Sequence, residues 1–68
     1  MHFGKQLKKY VYKNFRSYSE YARKIGVSPQ VLNSYWQTEN IRYRTLEKMA
    51  KAAEMSIIEF TAMLEKEE

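Results

Sequence analysis

The chain has 68 residues, enough for one small domain whose core is barely large enough to hold a fold without staples. It has no cysteine, so a disulfide framework is excluded and a reducing compartment is the expectation; no apolar run approaches the roughly 20 residues of a membrane span. The net charge of +4 is uneven: residues 1–24 carry seven Lys/Arg against Glu20 alone, and residues 54–68 carry five Glu against Lys66 alone.

The pattern has no strand-like alternation, internal repeat or low-complexity segment, and it predicts helices joined by short turns. Helix one is predicted over residues 3–14, with Phe3, Leu7, Tyr10 and Val11 on its inner face and lysines opposite. Lys5, Lys9 and Lys13, spaced by four, read equally well as a solvated face or as a surface for a polyanion. His2 is expected to be a disordered terminal residue. Helix two opens with Ser17 and Glu20 as a capping box, turns Tyr21, Ala22 and Ile25 inward, and ends at Gly26 in the left-handed conformation.

Helix three has Ser28 as N-cap and Pro29 at its first position, where the missing N–H costs nothing. Val27 can staple onto Leu32, and Leu32 and Tyr35 continue inward. A polar linker follows over residues 37–42. Helix four is predicted over residues 43–53, with Tyr43, Leu46, Met49, Ala50 and Ala53 on one side. Helix five opens with a second capping box, Ser56 and Glu59, with Met55 able to staple onto Phe60. Its inner stripe is Ile57, Phe60 and Leu64. Ile58 and Met63 exceed what one stripe requires, so they either cap the core or form a dimer contact.

Residues 17–36 carry the functional signal: a short helix, a glycine turn, and a second short helix with polar residues at its start. Gln30, Asn33 and Ser34 stand at i, i+3 and i+4, sharing one face opposite Leu32 and Tyr35. Gln and Asn amides can both donate to and accept from an adenine edge, at about 1–3 kcal/mol of discrimination per good pair. Val31 could meet a thymine methyl, or pack half-buried against Tyr35. Arg42 and Arg44 flank a helix start whose N–H groups attract phosphate. Polar residues at such spacing also occur on ordinary solvated helices.

Three segments in order carry a family resemblance: Tyr21-Ala22-Arg23-Lys24-Ile25-Gly26-Val27-Ser28, Leu46-Glu47-Lys48-Met49-Ala50-Lys51-Ala52, and Ser56-Ile57-Ile58-Glu59-Phe60. Over nearly the whole chain the pattern resembles the Cro/C1-type (XRE-like) helix-turn-helix domain of phage repressors and bacterial regulators. The resemblance implies an all-α, five-helix bundle of the lambda-repressor-like DNA-binding type, spanning residues 1–68 as one domain. It implies a transcriptional regulator that reads double-stranded DNA through helix three, often as a homodimer. The base-contacting positions it implies are Ser28, Pro29, Gln30, Asn33 and Ser34; the phosphate-contacting positions are Ser17, Tyr18, Asn40, Arg42 and Arg44.

The chain departs from the family pattern at named places. Tyr18 stands where Gln is favoured. Trp36 stands where a carboxylate is common and Val11 where a basic residue is common, which replaces an ion pair by apolar packing. Nothing from Ile25 to Thr38 is charged. That last feature favours a second reading, in which the fold is kept by a protein-binding adaptor or antirepressor.

Other chemistry finds little support. With no Asp, no Cys and one His, neither a catalytic triad nor a metal cluster can be assembled, so no enzyme and no cofactor is expected. Gly4 and Gly26 are too far apart for a phosphate-cradling loop, and no small-molecule ligand is implied. Six tyrosines and Trp36 suggest stacking on single strands, but Tyr10, Tyr21, Tyr35 and Tyr43 fall on inward faces and are expected in the core, with Tyr12 and Tyr18 unassigned. Residues 1–9 lack the apolar core of a signal peptide. The expected place is therefore the cytoplasm of a bacterial or phage-infected cell, with no membrane partner.

Overall fold

Five α-helices succeed one another in the computed structural model, which describes residues 1–67. They are α1 (Phe3–Asn14), α2 (Tyr18–Ile25), α3 (Pro29–Tyr35), α4 (Tyr43–Ala52) and α5 (Ile57–Glu65). Among the described residues there is no strand, and no helix is long and apolar enough to cross a membrane. The body measures 24 × 21 × 21 Å.

The helix ends follow from local chemistry. Ser17 Oγ accepts the Glu20 N–H at 3.2 Å, but among the described residues the Glu20 carboxylate does not reach back, so only half of the expected capping box forms. Gly26 adopts φ +78°, and the Val27 N–H then closes on the Ala22 carbonyl at 3.0 Å. Ser28 Oγ caps α3 by accepting the Val31 N–H at 3.2 Å. At α5 the capping box is complete: the Glu59 N–H donates to Ser56 Oγ at 3.1 Å, and the Ser56 N–H donates to Glu59 Oε1 at 3.0 Å. The turn between α4 and α5 uses Glu54 at φ +57°, a conformation usually given to glycine.

Leu7, Val11, Tyr21, Leu32, Met49, Phe60 and Leu64 are fully buried, one or more from every helix. Tyr10 is the hub of an aromatic cluster, meeting Phe15, Tyr21 and Phe60 edge to face at 6.0, 6.1 and 5.7 Å between centroids. Burial raises the Tyr10 phenol, helped by the Glu67 carboxylate, and burial raises the Tyr21 phenol much further. Val11 is buried, and Trp36 is half-buried against the core with its ring meeting that of Tyr12.

Two further expectations are corrected. Tyr43 is 67% exposed rather than inward, because the first turn of α4 projects past the core that Met49 and Ala50 enter. His2 is the N-cap of α1, its Nδ1 accepting the Lys5 N–H at 3.2 Å. The terminus is ordered there because the Phe3 and Gly4 N–H groups donate to the carbonyls of Glu39 and Thr38 at 3.1 and 2.8 Å. At the other end of the chain, Gln6 Nε2 donates to the carbonyls of Leu64 and Glu67, both at 2.7 Å, and fastens α5 to α1.

Candidate nucleic-acid interface

Helix α3 is fixed by its inner side and open on its outer one. Leu32 is wholly buried, Tyr35 is half-buried, and α2 is the helix against which α3 packs. Gln30, Val31, Asn33 and Ser34 are exposed together on the outer face, with Ser28 and Pro29 exposed at its start.

These candidates differ in what they can still do. Among the described residues, neither the Gln30 nor the Asn33 amide is used in a hydrogen bond within the chain, so both keep donor and acceptor. Ser34 Oγ donates to the Val31 carbonyl at 2.6 Å, which leaves it only as an acceptor. Ser28 Oγ accepts from Val31 and keeps its proton to donate. Pro29 offers apolar contact alone. The capacity for reading a base edge therefore concentrates on two amides.

Two helix starts lie in the segments on either side of α3 in the chain. At α2, Ser17 and Tyr18 line a shallow groove of about 340 Å³ with Tyr12, Phe15 and Arg16. Ser17 Oγ is engaged as the cap, and Tyr18 is exposed over about a third of its surface. At α4, Arg42 is the N-cap but makes no side-chain cap, and no acidic residue occupies the first turn. The first N–H groups of α4 therefore lack a side-chain cap among the described residues, and Arg42 and Arg44 beside them are exposed. Asn40 and Arg42 line a second groove of about 310 Å³, together with Ser34, Thr38 and Thr45 from the adjoining helices and turn.

Charge completes the geometry. The one ion pair among the described residues is Lys13 Nζ to Glu67 Oε1 at 3.5 Å, so the acidic C-terminal end folds toward α1. Sequence reasoning missed Tyr12 and Lys8. Tyr12 is exposed, its ring meets that of Trp36 at 6.4 Å, and Lys8 Nζ sits 5.7 Å over its centroid. The i, i+4 spacing of Lys8 and Tyr12 was the available signal. Among the described residues, no group of three or more His, Cys, Asp or Glu side chains gathers as a metal site would need. No protein-family model, curated protein or solved structure matches the chain.

Proposed function

We propose that this chain is a sequence-specific double-stranded DNA-binding module of the lambda-repressor-like helix-turn-helix type, acting as a transcriptional regulator. The observation that carries the reading is the pair of uncommitted amides, Gln30 and Asn33, on the outer face of a helix anchored by buried Leu32. Entered into the major groove, they would each make a bidentate contact to an adenine, with Ser28, Pro29 and Ser34 bordering them. Phosphates on either side would be held by Ser17 and Tyr18 at the start of α2, and by Asn40, Arg42 and Arg44 at the start of α4.

Size supports a two-fold pair. A body 24 Å long spans about seven base pairs at roughly 3.4 Å each, a short half-site for useful affinity. The α5 surface supplies a candidate contact, since Ile58 is 82% exposed. The site of action in this reading is bacterial or phage-borne DNA in the cytoplasm.

Selection from a pool of random duplexes tests the proposal. Recovery of a palindrome with A·T pairs in each half-site is expected, and a pool that stays random after successive rounds refutes it. One observation favours a different reading, a protein-binding adaptor or antirepressor: no charged residue lies between Ile25 and Thr38. Failure to bind random duplex even at low salt would support the adaptor, whereas steeply salt-dependent binding supports the DNA reader.

A further inference from the structure

We infer that the outer face of α1 around Tyr12 is a second phosphate-binding strip, gripping the duplex backbone beyond the segment that α3 reads. The inference deepens the DNA-binding reading and rests on it for the identity of the polyanion. Its members are Lys5, Lys8, Lys9 and Arg16.

Sequence spacing grouped Lys5, Lys9 and Lys13, but the structure regroups them. Lys13 is drawn to Glu67, while Lys5, Lys8 and Lys9 surround Tyr12 in a shallow groove of about 340 Å³ that, among the described residues, no carboxylate lines. Among the described residues these three ammonium groups and the Arg16 guanidinium have no acidic partner. Lys5, Lys8 and Lys9 stand within about 6 Å of rise along the helix, so they present a dense positive stripe.

Tyr12 ties that stripe to the rest of the interface. Its ring meets Trp36, the C-cap of α3, at 6.4 Å and 75°, and it also borders the groove containing Arg16, Ser17 and Tyr18. One continuous surface thus runs from the end of α3, across α1, to the start of α2. Tyr12 is not arranged as a platform for an unpaired base, because Lys8 already sits 5.7 Å over its ring. It holds the ammonium of the exposed Lys8 beside its ring instead. A strip of cations without hydrogen-bonding amides suits phosphates, which are the same for every sequence.

The test measures binding of the full chain to fluorescent duplexes by anisotropy across a salt series. The triple variant K5Q/K8Q/K9Q is compared with K48Q/K51Q/K66Q, a set of equal charge on α4 and the end of α5. The first set should weaken binding to all duplexes alike and flatten the log–log salt slope by about 2–3 units, at roughly 0.9 per phosphate contact. The second should leave the slope within about half a unit of wild type. Equal slopes for the two triple variants overturn the inference. Should K5Q/K8Q/K9Q melt below the assay temperature, single variants carry the test, each expected to remove about 0.9 units.

Failure of this strip and failure of base reading are separable. If wild type prefers no duplex but K5Q/K8Q/K9Q still flattens the slope, base reading fails and the strip stands. If a preferred duplex exists and the slopes are equal, the strip fails and base reading stands. Absence of duplex binding at low salt overturns both.

Discussion

The Gly4 N–H donates to the Thr38 carbonyl at 2.8 Å, which joins the first turn of α1 to the residues that follow α3. The approach is so close that a Cβ at Gly4 would collide with the backbone carbonyls of Tyr35 and Trp36. Neither carbonyl can swing away without shifting the end of the helix proposed to read DNA. Gly4→Ala is therefore expected to destabilise the fold by about 1–3 kcal/mol, although alanine is the better helix former by roughly 1 kcal/mol. Urea denaturation of the two proteins measures the difference, and a more stable alanine variant would show that the contact yields easily.

The Tyr21 hydroxyl is buried and, among the described residues, has no hydrogen-bond partner. An unpaired buried hydroxyl costs about 1–3 kcal/mol, so Tyr21→Phe should leave stability unchanged or raise it. The pH dependence has a definite sign. Burial, then the neighbouring Tyr10, raises the Tyr21 phenol well above its ordinary value, so the folded state keeps a proton that the unfolded chain releases. Stability from this group is present below about pH 10 and falls above it, by up to roughly 1.4 kcal/mol per pH unit. Urea midpoints at pH 8 and pH 11 should differ less in Tyr21→Phe than in wild type. An equal loss in both proteins would place the alkaline sensitivity elsewhere.

Much of this architecture was legible because each helix end carries its own chemical signature. Ser17, Gly26, Ser28, Pro29 and Ser56 mark boundaries by side-chain hydrogen bonding or backbone preference, and these act over three or four residues. The outward face of Gln30 and Asn33 followed from Leu32 for the same reason. What the sequence hid depends on contacts distant along the chain. Gly4 looks unremarkable until α1 meets the end of α3, and Gln6 reaches carbonyls 58 and 61 residues away. Tyr43 has the correct phase for burial but lies at a projecting helix start, and phase alone cannot tell where a core ends. Glu54 gave no signal either, since it takes a left-handed turn without being glycine.

The complete capping box at α5 should make that helix sensitive to acid. The Ser56 N–H, then the Ser56 hydroxyl, hold the Glu59 carboxyl below its ordinary range. A depressed carboxyl stabilises the fold above its unfolded value and loses that contribution as pH falls through its folded one. Glu59→Gln should therefore reduce the loss of thermal stability between pH 6 and pH 3 seen by circular dichroism. Ser56→Ala should cost about 1 kcal/mol at neutral pH. Identical acid profiles for wild type and Glu59→Gln would mean that the carboxylate contributes nothing to the cap.

Ile58 separates assembly from folding. With 82% of its surface exposed, it contributes little to the core, so Ile58→Glu should melt within about 0.5 kcal/mol of wild type. If α5 mediates the proposed two-fold pair, the same substitution should give a monomer on sedimentation and weaken binding to a palindromic duplex. A wild-type protein that sediments as one copy on that duplex would remove α5 from the interface.

Gln30 and Arg42 should fail in different ways. The Gln30 amide is uncommitted on the outer face of α3, so Gln30→Ala should cost about 1–3 kcal/mol on the preferred duplex and almost nothing on random DNA. The signature is relaxed preference at one base position, with the salt slope intact. Arg42 caps α4 without a side-chain hydrogen bond and has no acidic neighbour in the first turn. Arg42→Ala should weaken every duplex by the same factor and flatten the salt slope by about one unit. Competition titrations at two salt concentrations distinguish these outcomes. If the two variants lost affinity in the same manner, reading and anchoring would not be divided between α3 and the start of α4.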